Sequence, residues 1–155
     1  MKVSGMFRAA IPALVASAAL ALAGCETMSS MWDSTKAVFS GSNVTLSGAE
    51  EVPPVKTPGS GSGTITVNKD DKSVSGSVTI TGFTAISAHI HSGAPGQNGP
   101  VAVPLTKSSD GNTWSVSTGA KLTDPQYDAY KAGNLYVNVH SAANKGGEIR
   151  GQLKP

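Results

Sequence analysis

The 155-residue chain holds a single cysteine, 5% aromatic and 14% charged residues, and a formal charge of only +2. Each shortage excludes something. A lone thiol cannot build an intramolecular disulfide framework, so a packed core must hold the fold. The charged fraction is about half of the ~25% usual in soluble domains. Phosphate neutralisation supplies most nucleic-acid affinity, and no basic cluster is present, so no nucleic-acid partner is expected. The longest apolar stretch, Ala9–Leu22, has 14 residues, short of the ~20 a membrane helix needs. The glycine-bearing stretch Gly93–Pro100 lacks the Lys and Ser/Thr of a phosphate loop, which excludes nucleotide. No Gly-x-Ser-x-Gly elbow occurs. Glu50 and Glu51 are adjacent and point to opposite faces of a strand, unlike the paired carboxylates of a hydrolase. These exclusions point away from an enzyme. What remains is a polar, uncharged chain rich in Gly, Ser, Thr and Val, a mix that suits strands better than helices.

The first residues read as an address. Lys2 and Arg8 precede Ala9–Leu22, which has the length and flanks of a secretory signal. Leu22-Ala23-Gly24-Cys25 follows, with small residues before the cut and the only cysteine directly after it. This resembles the lipobox of bacterial lipoproteins, and the resemblance implies that residues 1–24 are removed and Cys25 is lipidated. It also implies a diacylated new N-terminus, and more than one acyl chain makes a stable anchor. Glu26 stands where inner-membrane lipoproteins carry Asp, so the outer membrane is favoured wherever the envelope has one. The expectation is an exported protein, lipid-anchored to the cell envelope. Loss of the leader leaves ten basic against ten acidic residues. Residues 25–42 are rich in Ser, Thr and Gly and read as a lipidated tether. A short amphipathic turn through Met28, Met31, Trp32, Val38 and Phe39 is the alternative.

From 43 to 155 the pattern has period two. Ile65 and Val67, then Val74, Gly76, Val78 and Ile80, alternate with Ser, Thr and Asn. The same alternation runs through Ile86, Ala88 and Ile90, through Leu135, Val137 and Val139, and through Ile149, Gly151 and Leu153. Such alternation predicts half-buried strands with these residues facing the core. Asn43–Ala49, Val101–Leu105 and Thr113–Thr118 are three weaker strand candidates. Asn68–Lys72 and Ser108–Asn112 read as hairpin loops. Thr123-Asp124-Pro125-Gln126, followed by Gly133, predicts one short helix. The expected fold is all-β, a Greek-key-like antiparallel β-sandwich of about seven or eight strands with one short helix.

Four segments are more specific than generic strand sequence: Glu51-Val52-Pro53-Pro54, His89-Ile90-His91-Ser92-Gly93, Tyr136-Val137-Asn138-Val139-His140, and Gly146-Gly147-Glu148-Ile149-Arg150-Gly151-Gln152-Leu153. In this order, from about Val44 to Leu153, they closely resemble the CHRD domain. That domain was named from chordin and also occurs in bacterial exported proteins. The resemblance implies an extracytoplasmic β-domain and assigns no activity.

All three histidines lie in these segments, and strand parity places them. His89 and His91, at i and i+2, project from one face, opposite Ala88 and Ile90. His140 takes the corresponding face of its strand with Tyr136 and Asn138, and Glu148 and Arg150 that of theirs. Glu51 has the polar parity of its strand, opposite Val44 and Leu46. If these strands are neighbours, His89, His91 and His140 converge, with Glu148 and Arg150 beside them and Glu51 in support. Three imidazoles from two strands are a ligand set for Cu(II) or Zn(II), leaving a fourth position open. Convergence requires ring nitrogens within ~4 Å of one another, since both bond one metal at ~2.0–2.1 Å.

Two other readings stand beside this one. A strand histidine often only fixes a neighbouring loop: His89 would hold Gly93–Pro100, while Arg150 and Glu51 would form an ion pair that closes the sandwich. An i, i+2 histidine pair also recurs in copper–zinc superoxide dismutases, which implies a weak redox activity. This chain lacks their disulfide and their zinc-loop residues. The sequence therefore favours a binding or structural module at the envelope. Its candidate partners are the membrane through Cys25, a metal ion or an envelope protein. Non-metal adhesion is the remaining alternative.

Overall fold

The computed structural model describes residues 39–155. The leader, Cys25 and most of the expected tether lie outside the described residues. Eight strands form: β1 (Phe39–Ser47), β2 (Ser60–Asn68), β3 (Val74–Thr81), β4 (Ala85–Ser92), β5 (Val101–Lys107), β6 (Thr113–Val116), β7 (Leu135–Ser141) and β8 (Ile149–Gln152). One helix, α1 (Asp124–Lys131), lies between β6 and β7. All eight strand candidates and the helix are present. β1 begins at Phe39, four residues ahead of the alternation at Asn43.

The helix forms for the local reasons the sequence offers. Thr123 is its N-cap: its hydroxyl accepts from the Gln126 amide, and the Gln126 side chain accepts from the Thr123 amide. Gly133, at φ +72°, ends it.

The eight strands do not split into two packed sheets. They form one closed antiparallel barrel in the order β1-β2-β3-β6-β5-β4-β7-β8, with β8 returning to β1 through Ser47 and Arg150. This corrects the sandwich expected from the sequence. Period-two alternation says which residues face inward but not whether the first and last strands meet. Closure is a long-range event that removes both sheet edges.

The interior holds the alternating residues, Leu46, Ile65, Val67, Val78, Ile80, Ala88, Ile90, Val137, Val139, Ile149 and Leu153 among them, all nearly or fully inaccessible. Gly76, exposed at φ +117°, and Ile86 are the exceptions. Ile86, expected inside, is 53% exposed, and Ala85 takes the inward position at 5%. A register irregularity between Ala85 and Ser87 in the β4–β7 ladder is the cause, because a bulge inverts the parity of what precedes it.

β7 departs from half-burial. Leu135, Val137 and Val139 point into the barrel, yet Tyr136, Asn138 and His140 on its outer side are buried as well. Loops 93–100 and 142–147 and the segment 51–59 contribute the groups that partner this outer face of β4, β7 and β8. They add a polar layer outside the barrel wall, and the candidate site lies within it.

Candidate metal centre

The neighbour relation that convergence required is met. β4 pairs with β7 and β7 with β8, with His89 opposite Asn138, Asn138 opposite Arg150, and His91 opposite Tyr136. One donor nitrogen from each of His89, His91 and His140 lies within 4.8 Å of the others. His89 Nδ1 lies 3.1 Å from His140 Nε2. The 4.8 Å bound is close to the ~4 Å expected of nitrogens sharing one metal. His140 is 8% exposed, and His89 and His91 are half-buried.

Two of the imidazoles are held from behind. His91 Nδ1 bonds the Gly99 carbonyl at 2.9 Å and His140 Nδ1 bonds the Lys145 carbonyl at 3.0 Å. A carbonyl only accepts, so both Nδ1 atoms carry the hydrogen. Burial pushes all three imidazoles below their ordinary pKa, and mutual repulsion adds to this for His89 and His140. Neutral rings protonated at Nδ1 present bare lone pairs at Nε2, the form a metal binds. The Nε2 of His91 is buried and has no partner in the protein. An unpartnered buried acceptor costs about 1–3 kcal/mol.

The carbonyls are themselves held in place. The Arg150 guanidinium donates to the Ala94 carbonyl (3.2 Å), the Gln97 carbonyl (3.0 Å) and Asn98 Oδ1 (3.3 Å), fixing the loop that carries Gly99. It also lies 3.5 Å from the centre of the Tyr136 ring, and Tyr136 stacks on His91 at 5.1 Å with 13° between planes. The Gly99 amide donates to Tyr136 Oη at 3.1 Å. On the other side, Glu148 accepts from Ser141 Oγ (2.6 Å), Asn144 Nδ2 (2.5 Å) and the Thr57 hydroxyl. These bonds hold its pKa down and fix the loop that carries Lys145. Arg150 thus supports His91, and Glu148 supports His140, each through a loop carbonyl.

Several expectations need correction. The Gly93–Pro100 loop is fixed by His91, not His89, because Gly99 lies over the β4 end that carries His91. Arg150 forms no ion pair with Glu51 among the described residues; its donors are taken by loop oxygens and Gln152 Oε1. Glu51 does not take its place from strand parity. β1 ends at Ser47, and a 3₁₀ turn, Gly48–Glu50, redirects the chain. The Gly48 carbonyl there accepts from both Glu51 and Val55, and any side chain at 48 would collide with the Val55 carbonyl. Glu51 consequently folds over β7, where its Oε2 accepts from Asn138 Nδ2 at 3.3 Å. Burial, opposed by the nearby charge of Arg150, pushes its pKa up to about 7. The Oε1 of Glu51 and Oδ1 of Asn138 are both buried without partners, and both lie over Gly147.

Sequence reasoning missed Tyr136 as a support of His91 and missed the carbonyls of Gly99 and Lys145. Tyr136 shares the parity of His140, and that signal was available. The carbonyl contacts depend on loop conformation and leave no residue-type signature.

Comparisons with curated proteins and with solved structures gave no match. The sequence profile of the CHRD domain matches residues 42–153, from within β1 to the residue after β8, so the chain belongs to the CHRD-domain family.

Proposed function

We propose that this CHRD domain holds a divalent transition metal, Cu(II) or Zn(II), through His89, His91 and His140, and does so at the envelope surface to which Cys25 tethers it. The observation that carries the reading is the buried, unpartnered Nε2 of His91, beside two further imidazoles whose donor nitrogens lie within 4.8 Å. A set of purely loop-fixing histidines has no need to bury a bare acceptor among them. Imidazole donors suit both metals, and three of them leave a coordination position for water or a further ligand. The supports of His91 and His140 resemble the outer-shell groups that orient metal-bound histidines. The reading is of a holding module, not an enzyme.

Titration of the full chain carrying Cys25→Ser, which removes the competing thiol, tests the metal. The expected result is one equivalent of Zn(II) or Cu(II) per chain, lost in the triple His→Ala variant. Equal binding by parent and triple variant overturns the proposal. A superoxide-consuming activity that tracked the histidines would overturn the holding role in favour of the redox alternative. The tether is tested by fractionation: the parent chain belongs with membranes, and Cys25→Ser releases it.

A further inference from the structure

The three imidazoles are not equivalent. His91 and His140 each donate Nδ1–H to a backbone carbonyl, so each presents a bare Nε2. The Nε2 of His140 lies 3.1 Å from Nδ1 of His89. Two bare nitrogens cannot share a hydrogen bond, so His89 Nδ1 carries the hydrogen and donates it. Before metal arrives, His89 therefore caps the lone pair that His140 would offer. The other nitrogen of His89, Nε2, has no protein partner and is absent from the buried unpartnered atoms, which leaves it open to solvent.

The surroundings of His89 differ from those of the other two. Its neighbour across the β4–β5 ladder is Pro104, an exposed residue with no N–H to donate. The exposed large hydrophobic residues among those described are Ile86, three residues before His89, and Val101, which pairs with His91. Loops 93–100 and 142–147 thus hold His91 and His140 from behind, and among the described residues neither loop bonds His89.

We infer that His89 is the exchangeable ligand of the cluster: it swings aside to admit the metal and closes on it as the third donor, while His91 and His140 form the fixed pair. This rests on the metal-holding reading above. Ligation through Nδ1 sends that proton to water, and Nε2 takes one up from water. The ring changes tautomer, the N–H···N bond to His140 breaks, and two metal–nitrogen bonds replace it with no net release of protons.

Two measurements on the full chain with Cys25→Ser test this. In metal-free protein, long-range ¹H–¹⁵N NMR of the imidazoles should show all three rings as Nδ1–H tautomers, with His89 changing to Nε2–H when Zn(II) is added. A metal-free His89 in the Nε2–H form overturns the inference without reference to metal binding. The second is zinc loss to a colorimetric chelator in excess. His91→Ala and His140→Ala should abolish a measurable site, whereas His89→Ala should retain one that releases zinc about tenfold faster or more. Equal loss in all three variants overturns the exchange role and leaves the metal site standing. No loss in any of them overturns the metal site itself.

Discussion

β2 and β7 present the same face to the barrel interior and opposite faces to everything else. Ile65 and Val67 of β2 and Val137 and Val139 of β7 are equally inaccessible. On the outer side, Thr64 of β2 is exposed and Thr66 half-exposed, whereas Tyr136, Asn138 and His140 of β7 are 1%, 2% and 8% exposed. The difference is physical and not only geometric. A hydroxyl in water exchanges one hydrogen bond for another at almost no net cost, but a polar group under a loop must find a partner or carry its desolvation. Under the loops most atoms find one; of the four buried side-chain atoms without a partner among the described residues, His91 Nε2, Asn138 Oδ1 and Glu51 Oε1 cluster on this covered face, and the fourth is Trp114 Nε1 on β6. Both halves of the barrel supply the core; the covered half holds three of the four unpartnered buried atoms among the described residues.

The largest expected break in this comparison comes from Arg150→Ala. Arg150 is 2% exposed, spans four oxygens and packs on Tyr136. Truncation removes the packing of its stem and takes a donor from the Gln97 and Ala94 carbonyls, of which Ala94 keeps the Gln97 amide. A loss of about 3–4 kcal/mol is expected, read as a fall in the urea midpoint. A loss below about 1 kcal/mol would show that the loop is held by other means.

The next largest concerns Glu51 and depends on pH. Its folded pKa of about 7 lies above the ordinary value of 4.5. Between those values the unfolded chain releases the proton and the folded protein keeps it, so the native state binds more protons and stability falls as pH rises. The fall amounts to about 1.4 kcal/mol per pH unit and about 3 kcal/mol across the window. Glu51→Gln removes it. Thermal unfolding of both proteins from pH 4 to 8 should show the variant gaining on the parent up to about pH 7 and then holding level. Parallel curves would mean that Glu51 ionises normally.

Much of this was legible beforehand and some was not, for reasons particular residues make plain. Alternation at Ile65, Val78, Val137 and Leu153 gave the strands and the inward face, because burial of one side of a strand leaves a period of two. The i, i+2 spacing of His89 and His91 and the parity of His140 gave the cluster, because parity survives whichever way the sheet closes. Closure itself was not legible: nothing local to Ser47 or Arg150 announces that their strands pair. Ile86 failed because a bulge inverts parity without changing residue types. The place of Glu51 failed because the turn at Gly48–Glu50 intervenes between it and β1.

Glu148→Gln should have a smaller effect, and a divided one. The carboxylate of Glu148 accepts from Thr57, Ser141 and Asn144 and holds the loop whose Lys145 carbonyl orients His140. An amide of the same size keeps one acceptor and turns the other into a donor, so about 1–2 kcal/mol of stability is expected to go. Zinc affinity is expected to fall about tenfold with it, since outer-shell partners act on that scale. Arg150→Lys is the partner experiment on the His91 side. A change in stability with unaltered zinc affinity in both variants would separate the loops from the histidines.

The smallest effect belongs to the uncovered half, and it is what gives the others meaning. Thr79 lies on the outer side of β3, exposed, opposite Ser62 and Thr113. Its hydroxyl can bond water as well folded as unfolded, so Thr79→Ala should change stability by less than about 0.5 kcal/mol, mostly through β-propensity, and zinc affinity not at all. The substitution removes a hydroxyl and a methyl from a strand, a polar loss made where no loop lies over it. If chemical denaturation showed Thr79→Ala costing as much as Glu148→Gln, the outer layer over β4, β7 and β8 would not be special. The contrast would then reduce to a general sensitivity of the barrel wall.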